Sequence, residues 1–168
     1  MIYRINMAKN ETVGLIIGKF APLHKGHRFL IESALGKADR LIVLVYDVPA
    51  LTKVPVGTRM GWIKKLYPGI EVIDAGIGPA ETGDTPEINR KHIEYAKGKL
   101  PVGARIDYVF SSEDYGKYLA EALGAENVLV DKARASVPIS AGVIRNDPDG
   151  FREYVEDFVY EDLKRCGR

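Results

Sequence analysis

The sequence predicts a doubly wound, Rossmann-like α/β fold: a five-stranded parallel sheet with helices on both faces. Three observations predict it. Short apolar runs lack polar alternation, as strands buried on both faces do, amphipathic stretches separate them, and a glycine-containing turn joins the first run to the first helical stretch. At 168 residues the chain has the length of one domain, so residues 1–168 are expected to form a single domain, with 1–11 as an N-terminal extension.

Thr12 to Ile17 and Leu41 to Tyr46 are rich in Val, Ile and Leu and read as buried strands. Between them, Gly26 to Gly36 carries Phe29, Leu30, Ile31, Ala34 and Leu35, which suits a helix packed on a sheet and stopped by Gly36. A helix from Thr58 to Tyr67 should end at Pro68, followed by a strand at Ile70 to Asp74. Thr85 and Pro86 fit the N-cap and first position of the next helix. Ile106 to Phe110 reads as a strand, Glu113 to Leu123 as a helix closed by Gly124, and Asn127 to Asp131 as the fifth strand. The last element is expected as one helix from about Pro148 to Arg165, with Phe151, Tyr154, Val155, Phe158, Val159 and Leu163 on one face.

Composition narrows the function. Apolar residues are 46% and charged residues 28%, close to ordinary soluble domains, which disfavours disorder and low-complexity architectures. With 24 basic and 23 acidic residues the net charge is +1, so no global field steers the chain onto nucleic acid. The single cysteine, Cys166, rules out an intrachain disulfide and a Cys-rich zinc site. No run approaches the roughly 18 apolar residues of a membrane span, and the opening MIYRINMAKN lacks a signal-peptide pattern. A cytoplasmic protein is expected, with no membrane partner; a homo-oligomer stays open.

In a doubly wound sheet, ligands bind beyond the carboxyl ends of the strands. The first strand runs into Gly18-Lys19-Phe20-Ala21-Pro22-Leu23-His24-Lys25-Gly26-His27, where glycines allow close backbone approach and a helix N-terminus offers free N–H groups. Lys19, His24, Lys25 and His27 add donors, so this turn is a candidate phosphate site. Neither the Walker spacing nor the GxGxxG fingerprint is present, which sets aside P-loop and hydride-transfer readings. A second candidate anion site is Ile139-Ser140-Ala141-Gly142-Val143-Ile144-Arg145, where Ser140 can cap a helix and Arg145 can clamp phosphate.

Together, GKFAPLHKGH and ISAGVIR are similar to the HxGH and ISxTxxR signatures of the nucleotidylyltransferase superfamily. Over residues 12–160 the chain most resembles the adenylyltransferase domain of the NadR-like nicotinamide-nucleotide adenylyltransferases. The features are Arg59-Met60-Gly61-Trp62 after Val54-Pro55, Val109-Phe110-Ser111-Ser112-Glu113, Tyr118-Leu119, and Leu129-Val130-Asp131 with Arg134. One departure stands out: Gly142 occupies the position where the family usually has threonine.

The resemblance implies a Mg²⁺-dependent enzyme that moves AMP from ATP onto nicotinamide mononucleotide or its acid form, releasing pyrophosphate. It implies catalytic roles for His24, His27, Lys19 and Arg145, and ATP contacts at Gly18, Phe20, Gly26, Ser140 and Arg134. Asp47, Arg59 and Trp62 are the candidate mononucleotide contacts, with strand-end capping, a surface ion pair and core packing as their respective structural alternatives. Mg²⁺ is expected through the ATP phosphates rather than a protein cluster. Pantetheine-phosphate adenylyltransfer, cytidylyltransfer and a non-catalytic nucleotide sensor are the rival functions.

Overall fold

The computed structural model describes residues 10–167; of the segment expected as an N-terminal extension, residues 1–9 lie outside the described residues. Five strands are connected through helices: β1 (Val13–Gly18), α1 (Lys25–Leu35), β2 (Arg40–Asp47), α2 (Val56–Leu66), β3 (Glu71–Ile77), α3 (Pro86–Lys99), β4 (Tyr108–Ser111), α4 (Tyr115–Leu123) and β5 (Glu126–Leu129). The chain then forms a short α5 (Ala141–Asn146), a 3-10 turn at Arg152–Tyr154 and α6 (Asp157–Cys166). All strand pairs are parallel, in the order β3-β2-β1-β4-β5. Among the described residues no helix is long and apolar enough to cross a membrane.

Both faces of the sheet are buried. The middle of β2, Leu41 to Val45, is buried throughout, and successive side chains serve opposite faces. Ile16, Val43, Val45 and Phe110 join Leu30, Ile31, Ile63, Val159 and Leu163 on one face, so α1, α2 and α6 cover it. Leu15, Ile42, Leu44 and Val109 join Ala96, Leu119 and Ala120 on the other, so α3 and α4 cover that one. Each fully buried aliphatic side chain contributes about 1.5–3 kcal/mol. This two-sided burial explains why the strands read as continuous apolar runs.

The connections reverse direction between β1 and β4, neighbours in the sheet but far apart in sequence. That reversal leaves a crevice at the carboxyl ends of the strands, where the chain leaving β1 turns towards α1.

The C-terminal element differs from the single helix expected over Pro148 to Arg165. Asp147 Oδ1 accepts from the Gly150 N–H at 2.9 Å, and a 3-10 turn follows. Val155 is extended, at φ −126° and ψ 154°, before α6 begins. The apolar periodicity is kept through the break, because Val155, Val159 and Leu163 are all buried. Periodicity reports contact with the core, which two short pieces satisfy as well as one helix. The fifth strand also stops earlier than expected, at Leu129, because Asp131 takes a left-handed φ of 48° and leads the chain off the sheet.

Candidate active site

A cavity of about 450 Å³ opens over the carboxyl ends of β1, β2 and β4. Gly18, Lys19, Phe20, Ala21, His24, Gly26 and His27 line one side, and Asp131, Arg134, Ile139, Ala141 and Arg145 meet them there. The two motifs, more than a hundred residues apart in sequence, therefore form a single wall.

His24 is the N-cap of α1, and its Nδ1 accepts from the N–H groups of Gly26 at 3.1 Å and His27 at 3.3 Å. An imidazole nitrogen that accepts two N–H groups carries no proton, so the neutral ring holds its proton on Nε2. Gly26 is required by this packing: a Cβ there would lie 2.9 Å from His24 Cε1. The His27 ring stacks on His24 with centroids 3.8 Å apart, and the Phe20 ring lies tilted against it at 4.8 Å. His27 Nδ1 is buried without a hydrogen-bond partner. Burial, with the nearby Arg134 charge, lowers the His24 pKa from 6.5 to about 4. Burial first, then His24 and Arg134, push His27 well below its ordinary value. Both rings are neutral at pH 7, beside a helix N-terminus that disfavours imidazolium.

Two arginines complete this wall. Arg145 donates through Nη1 to the Ala21 carbonyl at 2.5 Å, tying α5 to the histidine turn. Arg134 donates through Nη1 to the Ile139 carbonyl at 2.8 Å. Asp131 accepts from the N–H groups of Ser136 at 3.0 Å and Val137 at 2.9 Å, and these bonds lower its pKa. Among the described residues the non-glycine positions with positive φ are Phe20, Asp131 and Arg134, and all three line this cavity. Such conformations cost about 1–3 kcal/mol each and persist where the surroundings fix them. Ser140 caps α5, its Oγ accepting from the Val143 N–H at 3.4 Å, and sits between the lining residues Ile139 and Ala141.

The aromatic side chains of the opposite wall belong to no motif. Tyr46, Tyr95, Tyr115, His92 and Asn89 line it together with the loop Pro79–Gly83. Tyr95 donates its hydroxyl to the Ala75 carbonyl at 2.6 Å, and Tyr115 donates to the His92 carbonyl at 3.2 Å. Burial raises the Tyr95 pKa to about 12 and also raises that of Tyr115. These phenols stay protonated and anchored. The loop rests on α3 through Lys91 Nζ to Glu81 Oε1 at 2.6 Å and a contact of 3.0 Å between His92 Nε2 and the Glu81 carbonyl. At Gly78 a Cβ would stand 2.3 Å from Tyr46 Cδ2, so only glycine lets the loop pass that ring. Ser111, Ser112 and Glu113 close the end of the cavity after β4.

The three expected mononucleotide contacts are not brought together on the cavity. Trp62 is 2% exposed, packs in the core under α6, and donates its indole N–H to Asp162 at 2.8 Å, so its ring is unavailable for stacking. Arg59 is fully buried and donates to the carbonyls of Val54, Lys19 and Tyr46 and to the Asp47 carboxylate. Asp47 is thus spent as its counterion. The missed aromatic wall had one signal in the sequence: Tyr46 ends the second strand, and Tyr95 and His92 fall three apart on the helix opened by Thr85. Among the described residues no group of three or more His, Cys, Asp or Glu side chains can hold a metal ion.

No protein-family model matches the chain. It is 30% identical over 167 residues to the trifunctional NAD biosynthesis/regulator protein NadR of Escherichia coli (strain K12), covering 88% of this chain and 39% of that protein. The chain thus spans well under half the length of that relative. It is 28% identical over 116 residues to the phosphopantetheine adenylyltransferase of Streptococcus suis (strain 05ZYH33), covering 68% of this chain and 70% of that protein. Its fold is similar to a crystal structure of NadR in complex with NAD and AMP-PNP, with a TM-score of 0.58, 20% identity, and coverage of 93% of this chain and 46% of that one. The sequence relatives support a nucleotidylyltransferase-type domain most like that of NadR, and the solved structures share its fold.

Proposed function

We propose that the protein transfers the adenylyl group of ATP to nicotinamide mononucleotide or its acid form, giving the dinucleotide and pyrophosphate. The observation that carries the reading is the meeting of the histidine turn and the Arg134–Arg145 segment on one wall, bonded through Arg145 to Ala21. The NadR relatives favour the nicotinamide acceptor.

In this reaction a phosphate oxygen of the acceptor forms a bond to the α-phosphorus of ATP while the bond from that phosphorus to the bridging oxygen of pyrophosphate breaks. No protein nucleophile is needed; the protein's work is positioning and charge stabilisation. His24, neutral with its proton on Nε2, donates a hydrogen bond towards the α-phosphate, and His27, stacked beside it, donates to the same group as charge develops there. Lys19, Arg134 and Arg145 hold the outer phosphates, and Arg145 keeps N–H donors beyond the one given to Ala21. Gly18, Phe20 and Gly26 bring the backbone close, and Ser140 retains its hydroxyl proton as a donor. Gly142 removes one hydroxyl, though not for want of room: a Cβ there would meet only Arg145 Nη2, at 3.6 Å. Mg²⁺ carried by the ATP phosphates would neutralise part of their charge; the wall that meets them is cationic, so the ion belongs with the nucleotide.

The phosphopantetheine adenylyltransferase relative supports a second reading, in which the acceptor is a pantetheine phosphate. Pyrophosphate release and product mass, measured with ATP and with CTP across nicotinamide mononucleotide, its acid form and pantetheine phosphate, separate the readings. Dinucleotide formed from ATP alone supports the first. Turnover only with pantetheine phosphate replaces it with the second, turnover only with CTP makes the chain a cytidylyltransferase, and nucleotide binding without turnover makes it a sensor.

A further inference from the structure

Arg59 is the one arginine among the described residues with no exposed surface, and it does not line the cavity. Its guanidinium gathers four acceptors from three segments. Nε donates to the Val54 carbonyl at 3.1 Å, Nη1 to the carbonyls of Lys19 and of Tyr46, the latter at 3.1 Å, and Nη2 to the Asp47 carboxylate. Removing a guanidinium from water is costly, and an apolar side chain beside Trp62 and Ile63 would fill the space without that cost. The carbonyls it gathers explain its presence. Lys19 follows the end of β1, and Tyr46 lies where the β2–β3 ladder shifts register between Val45 and Tyr46. The ordinary ladder is interrupted there, and Arg59 supplies the donors.

The two residues held by these carbonyls belong to opposite walls. Lys19 stands with the histidine turn and Tyr46 with the aromatic side, and the Lys19 ammonium lies 5.5 Å from the Tyr46 ring centroid. We propose that Arg59 is a positioning residue: one buried guanidinium, balanced by Asp47, fixes the end of β1 against the end of β2 and so sets the place of Lys19 relative to Tyr46. It acts through Lys19 and touches no substrate. The kinetic consequence rests on the adenylyl-transfer reading; the geometric one does not.

The test reads each separately. Reductive methylation with ¹³C-formaldehyde gives every lysine a dimethylammonium signal, and the Lys19 signal is the one lost in Lys19→Ala. In the parent protein it should be displaced upfield by the Tyr46 ring and return to the ordinary lysine position in Tyr46→Leu. Arg59→Lys, which keeps the charge but loses the planar fork, should abolish the displacement with the protein still folded by thermal melting. Asp47→Asn, which leaves Arg59 in place, should reduce it and serves if Arg59→Lys does not fold. In kinetics per folded enzyme, Arg59→Lys should lower kcat about tenfold or more, since small misplacement of reacting groups is costly, with KM for ATP changed less than about threefold. In a Lys19→Ala background the same change should cost less than about twofold, because coupled residues are not additive. A displaced Lys19 signal that survives both variants, no displacement in the parent, or equal losses in the two backgrounds overturns the proposal. If Arg59→Lys abolishes the displacement and the parent turns over no acceptor, positioning stands and adenylyl transfer falls.

Discussion

The wall that carries His24 and His27 is held by part-buried hydrogen bonds, whereas the loop Pro79–Gly83 on the facing wall leans on an exposed ion pair. On the first, Arg145 reaches Ala21 and the His24 ring caps its own helix. On the second, Glu81 and Lys91 are both exposed where they pair. Buried, bonded groups suit chemistry that demands fixed donors, because preorganised dipoles need no rearrangement as charge develops. A surface loop suits discrimination among acceptors, because its contacts can change without disturbing the sheet. The difference predicts that damage to the first wall falls on turnover and damage to the second on acceptor affinity.

The largest effect should come from the first wall. His27→Ala is expected to cost about 3–4 kcal/mol of transition-state stabilisation, roughly a few hundredfold in kcat, if the ring acts like an oxyanion-hole donor. His24→Ala should lose a similar amount and, in addition, about 1 kcal/mol of stability, because its Nδ1 caps α1. Steady-state kinetics and thermal melts separate the two, and a His27→Ala enzyme within threefold of the parent would break the comparison.

Acidification probes the same wall by another route. His24 has a folded pKa of about 4 against 6.5 when free, and His27 is lowered in the same direction. Between those values the unfolded chain binds protons that the folded chain does not, so stability is present above about pH 6.5 and is lost as pH falls towards 4, by up to about 1.4 kcal/mol per pH unit for each such histidine. The melting temperature of the nucleotide-free protein should fall through that window, and His27→Ala should flatten the slope. An unchanged slope would show that the rings are not buried as described.

On the facing wall, Tyr95→Ala should raise KM for the acceptor about tenfold by removing an aromatic face and the bond to the Ala75 carbonyl, while KM for ATP stays within about twofold. Equal changes in both constants would merge the two walls into one. The smallest effect is reserved for Trp62→Phe: no change in acceptor KM, and about 1–2 kcal/mol less stability from the lost indole bond to Asp162. A raised KM there would return Trp62 to the binding site.

The same contrast explains what the sequence could disclose. Strands buried on both faces announce themselves by unbroken runs such as Leu41 to Val45, so the sheet was legible. The histidine turn was legible too, because its residues are contiguous and the chemistry is local. Trp62 and Arg59 were misplaced for one reason: an aromatic ring or a guanidinium looks the same in sequence whether it meets a ligand or a buried acceptor. Only the fold brings the carbonyls of Lys19 and Tyr46 to Arg59, or Asp162 to Trp62, a hundred residues away. The aromatic wall was missed because Tyr46, Tyr95 and Tyr115 come from three elements with no shared motif. The break before α6 was hidden because the apolar spacing continues through it.

The most direct measurement is a crystal structure of the protein soaked with a non-hydrolysable ATP analogue. The triphosphate should lie between His24 and Arg145, with Lys19 and Arg134 at its outer phosphates and the aromatic wall left open for the acceptor. A triphosphate lying along Pro79–Gly83, clear of both histidines, would contradict the account.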